Sequence, residues 1–417
     1  MKNDIHLVPI KPFHLPEAAC PECGSAGLQF HRSVFPGVHI FADLTCNSCG
    51  TAFLREYPVG FAVQHPVAIG KKDGKLFNIG DAPGWFTYYL MKAYNAHAER
   101  PPEIERIVHD RKERVVILDC LDFLYGHVLL KLLNARYYLD EHPDLGLVLI
   151  LPKMFAWLVP KGTAEVWLVD MKLGQAHNWY EGIDLFVNER LKEYDEAYLA
   201  RGYAHPDQSK IDMGRFTGIA PFDPLEFDQQ PKHITFVARQ DRLWTGESFT
   251  DLLFRGMVRF KLQPLLKGIL IGMQNARIKR TMRSIKRVLP EVGFTIVGLD
   301  DPGGFEGLAT DLRTRSMNVE KELEWCRAYA KSQIVVGVHG SNMLLPTAFA
   351  AGAVEILPDD RLGNMVQDIF VRYTDRMQLF MYRFVREHAT PQEVADHCTA
   401  MFRDHAAYRR NMCQYTV

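Results

Sequence analysis

Four of the eight cysteines stand in two short pairs, Cys20-Pro21-Glu22-Cys23 and Cys46-Asn47-Ser48-Cys49. Each pair makes a knuckle whose thiolates can share one tetrahedral zinc, and Gly24 and Gly50 follow where a tight turn wants them. The 22-residue spacer is slightly long for the motif but within what a ribbon hairpin tolerates. Four thiolates leave no open coordination position, so a Zn2+ held by Cys20, Cys23, Cys46 and Cys49 is structural. Two disulfides or an iron–sulfur cluster are the competing uses. Cys120, Cys326, Cys398 and Cys413 are scattered through apolar segments, which suits a reducing cytoplasm better than an oxidising compartment.

The second group of chemistry-bearing residues lies in QIVVGVHGSNMLLPTAFAAGAVEILP, residues 333–358. A continuous apolar strand runs into His339-Gly340-Ser341-Asn342, a short helix follows, and the next strand carries Glu355. A strand-to-helix turn presents free N–H groups and the positive end of a helix dipole, a ready site for a diphosphate. Gly340 allows close approach, and Ser341 or Asn342 can cap the helix or donate to phosphate. Glu355 falls where open α/β sheets hold the ribose of a nucleotide. An ordinary βαβ turn with a capped helix reads the same way from the pattern alone.

That segment resembles the HG…E signature of the glycosyltransferase family that includes plant β-1,2-xylosyltransferase and the EGF-domain O-GlcNAc transferase. The resemblance extends to ITFVARQDR, to GFTIVGL and to EKELEWCRAYAKSQIVVGVHG, covering about residues 232–360, with a weaker echo in DFLYGHVLLKLLNARYYL. It implies a GT-B fold, a nucleotide-diphosphate sugar as donor, and inversion at the anomeric carbon without a required metal. Ser341-Asn342 stands where the family usually carries small residues, and the cysteine pairs are an addition to it.

A transferase without a metal needs a cation on the leaving diphosphate, and Arg239 and Arg242, just after HITFVA, are placed to supply it. The competing reading of Arg239 is a surface pair with Asp241. An inverting mechanism also needs a base on the acceptor hydroxyl. The candidates follow the strand RVVILD: His127, Asp122 and Asp119, with helix capping and ordinary packing as their bland alternatives. The basic helix NARIKRTMRSIKRVL sets Arg277, Lys279, Arg280, Arg283, Lys286 and Arg287 around an apolar stripe of Ile278, Met282, Ile285 and Val288. That is most simply a solvated face, with contact to an anionic membrane surface as the sharper alternative.

The elements that must position these residues alternate. Strands read at RVVILD, LGLVLILP and AEVWLVDM and helices at 85–98 and 127–142, with a third helix expected over 191–200. A proline-rich stretch at 201–231 reads as the linker. HITFVA then opens a second α/β series that ends in helices near residue 411. The expectation is an α/β chain: a zinc ribbon over 1–60, an acceptor-side α/β domain over 61–225, and a nucleotide-sugar-binding domain over 226–417, the last two a GT-B-like pair of Rossmann-type domains.

A length of 417 residues suits two large domains, and 47% hydrophobic with 24% charged residues is the balance of a folded protein. A net charge of −1 argues against nucleic acid as the main partner. No apolar run has the length of a signal peptide core or a membrane span, so a cytoplasmic location is expected. The acceptor, a glycan or a protein, is not legible. The runner-up function is a non-catalytic nucleotide- or partner-binding protein with a structural zinc ribbon.

Overall fold

The computed structural model describes residues 4–15, 18–98, 100–244, 263–373 and 376–412, with the side chains of 263–266 and 412 left aside. Cys413 lies outside the described residues. The chain divides into two compact units, Met1–Asp207 and Gln208–Val417.

The first unit carries a six-stranded sheet in the order Leu7–Lys11, Glu196–Ala200, Arg114–Asp119, Gly146–Pro152, Glu165–Val169, Ile104–Val108. The inner four strands are parallel and the two edge strands antiparallel. GLVLILP is buried at every position, as a strand covered on both faces must be. The helix expected over 191–200 is corrected: a helix ends at Leu191, and Glu196–Ala200 is a strand paired with Arg114–Ile117. EAYLA has helix-forming residues, but pairing with a waiting strand outweighs that weak preference. The single helix over 127–142 divides into Tyr125–Leu133 and Ala135–Glu141, and the Asn134 side chain between them donates to the carbonyls of Leu130, Lys131 and Tyr203.

A second, five-stranded antiparallel meander runs through Leu28–Val34, Phe41–Cys46, Ala52–Glu56, Val67–Gly70 and Leu76–Asn78. It continues past residue 60 and does not stand alone. Phe35, Ile40, Leu44, Cys20 and Cys46 share one core with Val115, Ile117, Val148 and Trp167 of the six-stranded sheet.

The second unit is a six-stranded, wholly parallel sheet. Numbered along the chain its strands are His233–Ala238, Gly293–Gly298, Thr310–Asp311, Ile334–Val338, Gly352–Leu357 and Tyr382–Arg386, and across the sheet they lie 3-2-1-4-5-6. This is the doubly wound nucleotide-binding order, which reverses direction between the first and fourth strands. The crevice at a reversal opens outside the carboxyl ends of those two strands, here Ala238 and Val338. Arg239 and the His339–Asn342 turn are the residues that follow. The basic helix is the C-terminal part of Gln263–Val288; Ile278, Met282 and Ile285 are buried, while Val288, expected in the stripe, is exposed.

Candidate functional site

Two clusters of chemistry-bearing side chains emerge, one in each unit, together with the cysteine knuckles.

The knuckles are near copies of one another. Gly24 N–H donates to Cys20 O and Gly50 N–H to Cys46 O, each at 2.9 Å, and both glycines have φ +74°. Such a φ is what glycine adopts without strain, and a side chain there would cost stability. Sulfur separations are 3.6 Å for Cys20–Cys49 and for Cys23–Cys46, and all four Sγ lie within 4.8 Å of one another. A tetrahedral zinc with bonds near 2.3 Å asks for sulfur separations of about 3.8 Å. The donor set and its spacing fit one such ion.

In the second unit the turn after Val338 and the segment after Ala238 meet. Arg239 donates from Nη1 to Asn342 Oδ1 and pairs with Asp241, and Arg242 Nη1 donates to the His339 carbonyl at 3.0 Å. Gly340 has φ +146°; a Cβ there would collide with Arg239 Nη1 and stand 2.9 Å from Arg242 Nη1. Glycine at this position thus admits two guanidinium groups over bare backbone. Burial lowers the pKa of Arg242, and the charges of Arg361 and Arg239 push in the same direction. Arg239 and Arg242 thus meet at this turn, with Arg361 near enough for its charge to be felt at Arg242 and with Asp241 and Asp360 as the opposing charges. Among the described residues two buried N–H donors here, Asn342 Nδ2 and Arg361 Nε, find no acceptor within hydrogen-bond distance; Asp360 Oδ2 lies 3.6 Å from the latter. The turn Ser341–Met343 is 3-10, the helix Leu344–Phe349 after it is short, and no side chain caps either. Ser341 heads that turn.

His339 is fully buried. Its Nδ1 lies 2.5 Å from Glu355 Oε2 and its Nε2 3.2 Å from the Asn364 carbonyl. Both ring nitrogens are occupied, so His339 acts on the turn through its backbone. Burial pushes the Glu355 carboxyl up to about 7, partly offset by His339. Burial alone would lower the His339 pKa, but the bond and charge of Glu355, with the charge of Asp368, hold it above its ordinary value. The two groups therefore titrate as a coupled pair. Glu355 Oε1, also buried, has no hydrogen-bond partner among the described residues.

The loop bearing both arginines is closed by a residue that sequence reasoning missed. Gln274, on the long helix and almost wholly buried, donates to the Arg239 carbonyl at 2.9 Å and accepts from Trp244 N–H at 3.0 Å. Trp244 in turn packs under the Arg277 guanidinium.

In the first unit His127 and Asp122 come together; Nδ1 lies 3.2 Å from Oδ1, which also accepts from Leu124 N–H. Lys131, absent from the sequence reading, completes the group 3.0 Å from Asp122 Oδ2 and donates to the Leu121 carbonyl. Burial would raise the Asp122 pKa; the Lys131 charge and the His127 bond overcome it and hold it well below the carboxylate range. Lys131 is raised, its own burial outweighed by Asp122 and Asp119. A lysine one turn past His127 in HVLLKLL, otherwise apolar, was the available signal. Asp119 stands apart from the pair: its Oδ1 accepts from Leu121 N–H at 2.9 Å, and burial pushes it up to about 7.

No family model matches the chain, and no curated protein matches it. Among solved structures it is similar to E. coli ADP-heptose LPS heptosyltransferase II at 10% identity, covering 70% of this chain and 99% of that one, TM-score 0.35. E. coli heptosyltransferase WaaC with ADP follows at 11% identity over 70% and 98%, TM-score 0.32. The dodecameric iron-containing heptosyltransferase TibC, in complex with ADP-D-β-D-heptose, is 9% identical over 82% and 81%, TM-score 0.32. At such identities and scores the likeness adds nothing to the geometry. Among the described residues no helix is long and apolar enough to cross a membrane.

Proposed function

We propose that the chain is a glycosyltransferase of GT-B type, with the second unit binding a nucleotide-diphosphate sugar and the first supplying the base. The observation that carries the donor half is the coincidence of Arg239, Arg242 and Gly340 with the reversal point of a 3-2-1-4-5-6 sheet. Buried donors without acceptors fit phosphate oxygens, and the buried, unpartnered Glu355 Oε1 fits a ribose hydroxyl.

In this reading Arg239 and Arg242 neutralise the diphosphate as its bond to the anomeric carbon breaks, so no divalent cation is needed there. Asp122 holds Nδ1 of His127 and leaves Nε2 to take the proton of the acceptor hydroxyl as its oxygen attacks, with inversion. Lys131 keeps Asp122 ionised, which favours the imidazolium that forms. Asp119 is the second candidate base. The resemblance to the xylosyltransferase and O-GlcNAc transferase family supports the same donor chemistry. The four cysteines hold one structural zinc.

A thermal-shift panel of ADP-, UDP-, GDP-, CMP- and dTDP-sugars in excess EDTA tests the donor half, because a ligand of the folded state alone raises its melting temperature. A rise with one nucleotide class is expected. No rise with any of them, in protein retaining one zinc per chain by metal analysis, removes the proposal.

A further inference from the structure

Beside His127 the first unit carries a cluster of aromatic rings, of which Phe61, Phe86 and Phe123 pack on the core while Trp85 and Tyr89 face solvent. Phe61, Trp85, Tyr89, Phe123, His39 and His177 line one depression, floored by Val38 and Phe86. Its rings are partly open to solvent: Trp85 is 48% and Tyr89 40% exposed. Tyr89 and Phe123 both stack on His177, with centroids 4.1 Å and 3.8 Å away. Phe61 and Phe123 are at once walls of the depression and edge-on neighbours of His127, at 5.1 Å and 6.2 Å. The base and the aromatic depression therefore share two side chains.

The lining selects a chemistry. Among the residues that form it there is no Lys, Arg, Asp or Glu, so neither a phosphate nor a cation finds a counter-charge in it. A nucleic-acid strand would want a basic groove beside its stacking rings, and the lining does not offer one. The polar atoms present are imidazoles. His39 is bound to Glu56 at 2.6 Å, and burial lowers the pKa of His177, leaving it neutral at neutral pH. Ring faces with a few hydrogen-bonding edges suit a ligand that is apolar on its face and polar at its rim. A neutral sugar ring has C–H groups on its faces and hydroxyls around its edge.

We infer that the Phe61–Trp85–Tyr89–Phe123 depression is the acceptor subsite and that the acceptor is a neutral glycan, stacked on these rings with a hydroxyl directed to His127. The inference rests on the transferase reading, and its test separates the two. Saturation-transfer NMR with chitotetraose, maltotetraose and cellotetraose, with cyclohexanol as an apolar ring and glucose 6-phosphate as a charged one, reads the subsite without turnover. At least one neutral oligosaccharide is expected to receive saturation through its C–H protons and to bind better than cyclohexanol or the phosphate. Trp85→Ala and Tyr89→Ala, exposed enough to leave the fold intact, should each weaken that binding by about tenfold. Neither should change the affinity of the nucleotide diphosphate that the thermal panel selects. No saturation of any of the three oligosaccharides overturns the inference while the nucleotide still binds, and so does equal binding of cyclohexanol or indifference to both variants. Sugar binding without any nucleotide binding keeps the subsite and removes the transferase.

Discussion

His127 and His339 both give Nδ1 to a buried carboxylate, Asp122 at 3.2 Å and Glu355 at 2.5 Å, and both lie beyond the carboxyl end of a parallel strand. The two pairs differ in what surrounds them. Asp122 has the Lys131 ammonium 3.0 Å away, so it stays ionised in spite of burial, and His127 remains 21% exposed. Among the described residues Glu355 has no basic side chain but His339 bound to it, its carboxyl is pushed up to about 7, and the His339 ring has no exposed surface. A histidine–carboxylate contact therefore does not by itself mark a base. Of the two, only His127 has both a compensating cation beside its carboxylate and a partly exposed ring, which is why it is the proposed base.

The largest effect should fall on turnover. His127→Ala is expected to lower kcat by about 10²–10⁴-fold, the usual worth of a positioned base, while nucleotide-diphosphate affinity by calorimetry is unchanged. Because the ring is partly exposed, stability should change by less than about 1 kcal/mol. A variant that keeps its kcat would move the base to Asp119 and break the comparison on its catalytic side.

His339→Ala should do the reverse. It leaves the Glu355 carboxyl buried without its partner, and breaking such a pair costs about 3–5 kcal/mol. Urea unfolding followed by hydrogen exchange in Ile334–Val338 and Gly352–Leu357 reads the second unit alone. The same pairs set opposite pH responses. The folded state favours protonated Glu355, so between its ordinary 4.5 and about 7 it holds a proton that the unfolded chain has released. Stability of the second unit must then fall as pH rises through that window. The raised His339 acts in the same sense, its contribution present below its ordinary 6.5 and fading above. Asp122, lowered, contributes above its ordinary 3.8 and is lost only on acidification. Glu355→Gln should flatten the slope in the second unit, and exchange rates that do not depend on pH would refute the assignment.

How these residues could be read in advance divides along the same line. CxxC spacing, the strand RVVILD and the HG turn are local patterns, and they place Cys20–Cys49, Asp122–His127 and Gly340 without a fold. Lys131 was hidden because one lysine in an apolar helix looks like a solvated residue until the strand beneath it is known. Gln274 closes a loop more than thirty positions earlier in the chain, and nothing in NARIKRTMRSIKRVL points to it. The strands Leu7–Lys11, Ile104–Val108 and Tyr382–Arg386 are edge strands, whose short runs carry no buried-strand signature. The cysteine segment reads as separable by composition, yet its core side chains are shared with the six-stranded sheet, a fact about packing that spacing cannot carry.

Sharpening the donor side needs a smaller effect. Arg239→Ala should weaken nucleotide-diphosphate binding by about 1.5–3 kcal/mol, the scale of a charge-assisted hydrogen bond, and leave nucleoside binding unchanged. Glu355→Ala should weaken both ligands, since its free oxygen is assigned to the ribose. Gly340→Val, otherwise the obvious probe, is unsuitable. At φ +146° and with Arg239 against the added carbon, it strains the turn and displaces the cation together.

The smallest effect is reserved for Arg361. Its buried Nε faces Asp360 Oδ2 at 3.6 Å, beyond hydrogen-bond reach, and finds no other acceptor among the described residues; its charge is felt at Arg242, but about a third of its side chain is open to solvent. A partly exposed cation acts through screened charge, so Arg361→Gln should cost about 0.5–1 kcal/mol of diphosphate affinity at low salt. The loss should shrink as ionic strength rises, whereas the Arg239→Ala loss, made of a direct bond from a nearly buried guanidinium, should persist. Calorimetry at two salt concentrations separates them. Equal salt dependence in the two variants would mean that Arg239 and Arg361 act only as a diffuse field, and the orphaned donors around Gly340 would then need another ligand.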